Sequence, residues 1–473
     1  MNQFAVTAQE MRSMEQAAFD HGVPPVLVME NAARALCGEI ESMLGGAGGK
    51  RVLFLCGPGN NGGDGLACAR LFAQRGGKSC VYLPVAPKTP SARDNEAYVR
   101  YLRIPVLFEL PSPAQFDLCV DALLGIGQTR APEGKIALAA EWINHARLPI
   151  VSVDVPTGMD GDTGHVFDPC VRADVTVTFH AAKLGLMLTD RRGNAGDLRI
   201  APIGIHACDR GIPYYPMDAL DTLLPSRDKN AHKGNCGRVL VYAGSPGKAG
   251  AAAMCALGAL KAGAGLVTIA CPEEIIPTLQ ALVPNAMCVP LDKADTVAFD
   301  VLAAGCGIGT DENARGQLIR LLQKADRCVL DADALNLLAA APFDLPKTAV
   351  LTPHPLECAR LLHCDLQDVL RDPIAAARKL SVAYQCTAVV KNAVSVIAEG
   401  EKIALNTVGS PALAKGGSGD ALCGILSATL CEKQDPFESS RIACLRMGAA
   451  AVKGAAVHGE RGLLTLDMLS FLR

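Results

Sequence analysis

The sequence predicts an α/β chain built on two parallel sheets. Three observations carry that expectation. Short aliphatic runs alternate with helical patterns along the chain, the rhythm of parallel strands covered by helices on both faces. Glycine-rich loops at 57–65 and 416–419 each open a helix. The chain is 50% hydrophobic but only 4% aromatic, so its apolar mass is aliphatic, as buried parallel strands require. At ~150 residues per domain, 473 residues allow two or three domains.

The elements follow in order. Thr7 and Glu10 have capping-box spacing, and Met11, Met14 and Ala18 recur at helical intervals. VLVMENAARAL (26–36) makes a second helix. RVLFLC (51–56) reads as a buried strand and LACARLFAQRG (66–76) as the helix after it. SCVYLPVAP (79–87), DLCVDALLG (117–125), PIVSVDVPTG (149–158), DVTVTF (174–179) and DLRIAPIGI (197–205) are further strands. Around 206–230, prolines and mixed charge replace long apolar elements, so a boundary is expected there, dividing 1–215 from 216–473. A second series follows: GRVLVYAG (237–244), GLVTIA (265–270), FDVLAAG (299–305), RCVLDAD (327–333), TAVLTP (348–353) and TAVVKN (387–392). VSVIAE (394–399) and KIALN (402–406) resemble a hairpin, and DALCGILSATLC (420–431) is a closing helix.

Composition excludes several classes. A net charge of -3 on a hydrophobic chain rules out disorder and argues against a generic nucleic-acid binder. The 19 cysteines are scattered, with no C-x-x-C pair and no zinc spacing, and many sit in apolar runs. They read as small buried hydrophobes of a reducing cytosol. Residues 1–19 lack a signal-peptide pattern. The uncharged stretch 275–291 contains Pro277, Pro284 and Pro290 and is too short for a membrane span. A cytoplasmic protein without membrane or nucleic-acid partners is expected. Its domains of ~250 residues suit a homo-oligomer.

The strand 51–56 runs into GPGNNGGDG (57–65), so backbone N–H groups and a helix N-terminus face an anion. Gly57, Gly59 and Gly62 satisfy G-x-G-x-x-G, but the next strand lacks the acidic residue that an ordinary dinucleotide site places there. A tight structural turn remains open on the glycines alone. Asn60, Asn61 and Asp64 add polar side chains that a turn does not need. Asp121 and Asp154 stand at two further strand ends, and Thr157 follows. Each aspartate alone also fits a cap. Together, Asn61, Asp121, Asp154 and Thr157 would converge beyond the carboxyl edge as oxygen donors for a hard cation. With a nearby cation, a positioned carboxylate such as Asp154 could relay protons as an acid/base.

GPGNNGGDG, DALLGIG, VDVPTG and TFHAAKLGL resemble the N-terminal epimerase domain of the bifunctional NAD(P)H-hydrate repair enzymes, the YjeF N-terminal family. The resemblance implies a Rossmann-like sheet and a bound K⁺. It implies that Asn60, Asn61, Gly62, Gly63 and Asp64 line the substrate site, with Asp154 against the substrate. Asn61, Asp121 and Thr157 match the K⁺ ligands. The loop of Gly125, Ile126, Gly127, Gln128, Thr129, Arg130 and Ala131 would touch the nucleotide. Lys183 matches a family lysine and joins Asp154 as a catalytic candidate, although by itself it also reads as a surface salt bridge.

LAKGGSGDALCGIL (413–426) is the strongest local signal in the second half. Gly416, Gly417 and Gly419, with Ser418, let backbone amides approach a phosphate, and the helix adds its positive end. Asp420 stands where a base could take a proton from a hydroxyl. The loop resembles the ribokinase-like superfamily. HKGNCGRVLVYAGS (232–245), ALKAGAGLVT (259–268), AAGCGIGT (303–310), LDADALN (330–336) and TPHPLE (352–357) resemble its ADP-dependent NAD(P)H-hydrate dehydratase members. The resemblance implies that Ala251, Gly307, His354 and Asp420 contact the hydrate. It implies that Lys391, Asn392, Ala393, Val394 and Ser395 hold ADP together with Gly419. His354, between two prolines, also fits a turn, and Asp331 and Asp333 also fit strand-end caps. Mg²⁺ is expected to share phosphate charge, with no clear ligands in the sequence.

The implied activity is epimerisation of the R and S hydrates, followed by dehydration of the S form with ADP. The alternative is a ribokinase-like small-molecule kinase fused to a Rossmann-like ligand-binding module.

Overall fold

In the computed structural model, described for residues 3–188, 193–206, 210–224, 229–433 and 435–472, seven parallel strands make the first sheet. Their spatial order is Val106–Leu107, Lys78–Tyr82, Arg51–Cys56, Leu118–Ala122, Ile150–Val153, Val175–Phe179 and Asp197–Ala201. Chain order reverses between Arg51–Cys56 and Leu118–Ala122, the place where an open sheet leaves a crevice at its carboxyl edge. Buried side chains of Val52, Phe54, Val120 and Val151 form one face of the core, and Leu53, Leu55 and Cys119 the other. A short parallel pair, Ala5↔Ala182 and Val6↔Lys183, lies apart from this sheet.

Two helices differ from the expected bounds. The second runs Pro25–Leu44 rather than 26–36, because Ile40 keeps the buried face going until Gly45 stops it in the left-handed region at φ 69°. The third begins at Asn60, not Leu66, so only Gly57–Gly59 separate it from the strand. The glycines make this possible. A Cβ on Gly62 would lie 1.9 Å from the Gly57 carbonyl oxygen, and one on Gly65 would lie 2.5 Å from Ala122 Cβ. The polar residues Asn60, Asn61 and Asp64 therefore ride on the first helical turns.

Phe4–Ile212 form one compact unit and the chain from Pro213 onward the other. Within the expected boundary stretch 206–230, the elements are short, Ile212–Tyr214 and Leu220–Leu223; residues 207–209 and 225–228 lie outside the described residues. The second unit's parallel strands run Met287–Pro290, Leu266–Cys271, Arg238–Tyr242, Val301–Ala304, Arg327–Leu330, Thr348–Leu351 and Thr387–Val390. The antiparallel hairpin Ser395–Glu399 and Lys402–Asn406 extends them. Met287–Pro290 was not expected in that proline-bearing stretch. It is an edge strand, where a residue without an N–H costs no ladder bond on the open side.

Helices Ala249–Ala262 and Ser418–Lys433 pack on this sheet with their backbones in close approach. A Cβ on Gly424 would meet the Cys255 carbonyl oxygen at 1.9 Å, and one on Gly258 the Ala421 oxygen at 2.4 Å. The hairpin lies where the sequence predicts it, but the helix expected to close the chain, Ser418–Lys433, is followed by the 23-residue helix Pro436–His458 and the short helix Thr465–Met468. No described helix is long and apolar enough to cross a membrane.

Candidate functional site

In the first unit, four neighbouring strands deliver polar groups to one edge. Asp121, near the end of Leu118–Ala122, is fully buried. One of its oxygens accepts from Ser152 Oγ and Thr157 N, each at 2.9 Å; the other accepts from Thr157 Oγ1 at 2.7 Å and Leu123 N at 3.3 Å. Burial pushes its carboxyl up, and these hydrogen bonds oppose the shift. Asn61 Nδ2 donates to the Leu124 carbonyl at 3.0 Å, and Thr157 Oγ1 accepts from Leu124 N at 3.0 Å. Hydrogen bonds thus tie Asn61, Asp121, Leu124 and Thr157 together at one strand edge around a buried carboxyl. That donor set fits a hard monovalent cation.

Asp154 follows the next strand in the left-handed region at φ 65°, a conformation that Asp and Asn tolerate better than most residues. Its Oδ1 accepts from Thr178 Oγ1 at 3.1 Å and pairs with Lys183 Nζ at 2.7 Å. Lys183 is 1% exposed and also donates to the Phe179 carbonyl at 2.8 Å. The surface salt bridge that its sequence allows is overturned: register with Val6 in the short strand pair takes the side chain inside. Burial raises Asp64 well above the usual carboxylate range, helped by Asp154 and Glu15 and opposed by Lys183. Asp64, Asp154 and Lys183 therefore share one electrostatic site.

Three further groups join them: Glu15 and Arg12 have no signal in the sequence beyond a polar residue in a helix, whereas His180 lies within TFHAAKLGL (178–186) without being singled out by it. Glu15, on helix Ala8–Asp20, is raised by burial and by Asp154. Arg12 lies one turn earlier and approaches Gly127. His180 sits at φ 67°, its buried Nε2 lacks a hydrogen-bond partner, and burial and Lys183 lower its pKa. In the 125–131 loop, Gln128 is turned inward. It donates to Gly125 and Pro156 carbonyls and accepts from Gly158 N at 2.6 Å. Thr129, Arg130 and Ala131 are exposed.

The second site gathers at the carboxyl edge of its own sheet. Asp420 lies in the first turn of Ser418–Lys433, after Gly417 at φ 92°. Burial raises its carboxyl, the Cys306 thiol lowers it, Asp331 raises it and Lys391 lowers it. Lys391 Nζ donates to Asp331 Oδ1 at 2.6 Å. A Cβ on Gly419 would come within 3.3 Å of both side chains. Asp331 is therefore an ion-pair partner rather than a strand-end cap, while Asp333 accepts from Gly309 N at 2.9 Å and approaches Lys248 Nζ at 3.5 Å. Ala251 faces Gly307.

His354 caps helix Pro355–Leu362, accepting on Nδ1 from Leu356 N and Glu357 N. Burial and Lys391 lower its pKa, and its position between prolines is a cap rather than a turn alone. Glu357 answers from the same turn. Burial and Asp331 push it up to about 7; the sequence carries it within TPHPLE (352–357) without singling it out. Asn392 and Ala393 are exposed beyond Lys391, whereas Val394 is buried. A cavity of about 540 Å³ is lined by Ala251, Met254, Gly416, Gly417, Asp420 and Thr465.

Residues 239–472 match the family described as NAD(P)H-hydrate dehydratase, and residues 27–185 match the YjeF-related protein N-terminus. The bifunctional NAD(P)H-hydrate repair enzyme Nnr of Moorella thermoacetica is 34% identical over 514 residues, covering 99% of this chain and 96% of the relative. The Escherichia coli enzyme of the same name is 35% identical over 434 residues, 89% of this chain and 84% of its own. Among solved structures, the ADP/ATP-dependent NAD(P)H-hydrate dehydratase of Bacillus subtilis, co-crystallised with ATP/Mg²⁺, aligns at a TM-score of 0.51 and 30% identity. It covers 55% of this chain and 96% of that one. A ribokinase-like superfamily protein from Enterococcus faecalis aligns at 0.50 and 26%, over 54% and 92%.

Proposed function

Because this chain belongs to the bifunctional NAD(P)H-hydrate repair enzymes, we propose that residues 1–215 epimerise the (6R) and (6S) hydrates and residues 216–473 dehydrate the (6S) form. The overall second reaction is (6S)-NAD(P)H-hydrate plus ADP giving NAD(P)H, AMP and phosphate. The observation that carries the assignment is the pair of separate strand-edge sites, each with a buried Lys–Asp pair beside a helix-borne carboxyl: Lys183–Asp154 with Asp64, and Lys391–Asp331 with Asp420.

In the first site, Asp154 is the acid/base at carbon 6, held by Lys183 and Thr178. Asn60, Asn61, Asp64 and the 125–131 loop surround the substrate. K⁺ would sit among Asn61, Asp121 and Thr157, where its charge balances a buried carboxylate and orients the substrate.

In the second site, Asp420 takes the proton of the ring hydroxyl as that oxygen accepts the terminal phosphoryl group of ADP. Backbone amides at Gly416–Gly419 stabilise the transferring group, and Lys391 carries charge toward the nucleotide. Phosphate then leaves carbon 6 with its former hydroxyl oxygen, and carbon 5 gives up a proton to solvent, which restores the ring double bond of the dihydropyridine. Mg²⁺ would be held mostly by phosphate oxygens and water, with Asp331 and Asp333 as the neighbouring carboxylates. When bound it would neutralise phosphate charge.

We place the enzyme in the cytoplasm as a homo-oligomer; size-exclusion chromatography with light scattering tests the second point. The function is tested with mixed-epimer hydrate, with and without ADP, ATP and K⁺, following recovery of the NADH absorbance band. Complete conversion with AMP and phosphate released supports both activities. Conversion that stops at the S fraction removes the epimerase. A stable phosphorylated product would make the second unit a kinase.

A further inference from the structure

Three cysteines that the proposed chemistry does not use meet beneath the second site. Cys255 lies on helix Ala249–Ala262, Cys306 follows strand Val301–Ala304, and Cys423 lies on helix Ser418–Lys433. All three are free thiols without solvent exposure. Their Sγ atoms lie within 4.8 Å of one another. The close helix approach at Gly258 and Gly424 brings Cys255 and Cys423 together across the interface.

Each thiol is tied by sequence to a residue of the second site. Cys255 is one helical turn after Ala251, Cys306 precedes Gly307, and Cys423 is one turn after Asp420. The Cys306 thiol is also close enough to favour the ionised form of Asp420. Met254 and Asp420 line the cavity above, so the approach to the thiols leads past the acidic group.

Metal–sulfur bonds of about 2.3 Å in a three-sulfur site place the sulfurs about 4 Å apart. The observed sulfurs, all within 4.8 Å of one another, lie close to that spacing. Charge selects the cation. Three thiolates and the Asp420 carboxylate around a monovalent ion leave three negative charges in a dry core, and around a divalent ion two, so the higher charge is favoured. Thiolate donors select soft or borderline ions over Mg²⁺.

We propose that Cys255, Cys306 and Cys423 form an inhibitory site for a divalent thiophilic cation of the Zn²⁺ or Cd²⁺ class, with the Asp420 carboxylate as the neighbouring oxygen donor. Binding exchanges the thiol protons, released to solvent, for metal–sulfur bonds. It draws Asp420 away from the hydroxyl it serves, so dehydration stops while epimerisation continues. The inhibitory half rests on Asp420 acting as the base; the binding half does not.

The test uses the full chain, reduced and stripped with chelator, titrated with Cd²⁺. Sulfur-to-metal charge-transfer absorbance reads binding, and the two activities are assayed in parallel. One equivalent should produce the absorbance and lower ADP-dependent dehydration at least tenfold, with epimerisation unchanged. Cys255→Ala should keep dehydration in the absence of Cd²⁺ and lose both the absorbance and the sensitivity. Cys423→Ala serves as a second variant, and a Cd²⁺-dependent rise in the melting temperature of the unsubstituted protein reads binding if either variant fails to fold. Absorbance that survives in both variants would place the ion on other thiols, such as exposed Cys364, and overturn the site. Absence of absorbance at one equivalent overturns it as well. With Mg²⁺ supplied to every assay, dehydration that persists with the thiol site filled overturns the inhibition, whereas a Cd²⁺-free protein without dehydration refutes the proposed function of the second unit and leaves the binding result readable.

Discussion

Replacing Lys183 by Met leaves the Asp154 carboxylate inside the protein with only the Thr178 hydroxyl as its side-chain donor. Breaking a buried ion pair costs about 3–5 kcal/mol, because the remaining charge stays desolvated. The Asp154 side chain is 12% exposed, which lets water reach it and puts the cost near the low end. With a urea slope of about 2 kcal/mol/M, a loss of about 3 kcal/mol lowers the midpoint by about 1.5 M. The protein carries its own reporter. Its single tryptophan, Trp142, donates to the Pro111 carbonyl at 3.1 Å within the first unit, so its fluorescence follows that unit alone. Epimerisation should fall about 100-fold or more as the acid/base loses its position. The double variant Asp154→Asn with Lys183→Met should recover most of the stability, since neither charge remains and Asn holds the left-handed backbone. A midpoint within about 0.3 M of the unsubstituted protein, with epimerisation intact, would sink the argument that this pair is buried and functional.

Three other outcomes are expected. Asp420→Asn should lower dehydration about 10²–10⁴-fold without changing epimerisation; in the unsubstituted protein, dehydration should fail on the acid side at a pH above the ordinary carboxylate range, because burial holds Asp420 protonated longer. Glu357 releases its proton near an ordinary 4.5 when unfolded and near about 7 when folded. The folded state therefore binds more protons between those values, and stability falls as pH rises through them, by about 3 kcal/mol over the whole span. Glu357→Gln should flatten that slope in denaturant titrations followed by circular dichroism. Gly65→Ala puts a methyl 2.5 Å from Ala122 Cβ and should cost about 1–3 kcal/mol on the Trp142 signal, with a normal midpoint counting against the close packing.

The strand ends were legible because aspartates closing apolar runs have few reasons to be there other than a site or a cap. The start of the third helix was not. Asn60 to Gly65 holds three glycines, each about 1 kcal/mol worse than Ala in a helix, and only tertiary contact with Gly57 and Ala122 makes that turn helical. Lys183 could be located from its motif, but its burial depends on pairing with Val6, far away in the chain. Glu15 reaches Asp154 by the same kind of long-range packing, which no local pattern encodes. The cysteines show the converse. The described cysteines are free thiols, yet scatter in sequence says nothing about three of them meeting in space.

Gly57 and Gly62 are held by backbone contacts, with a Cβ at 1.7 Å from the Leu123 oxygen or 1.9 Å from the Gly57 oxygen. Those clashes exist whether or not a substrate is ever bound. A descendant of this protein that lost its isomerase activity would therefore keep both glycines to stay folded, while Asn60 and Asp64 were free to drift. Among such descendants the glycine signature records architecture, and the polar positions beside it are where lapse of the chemistry would first be written.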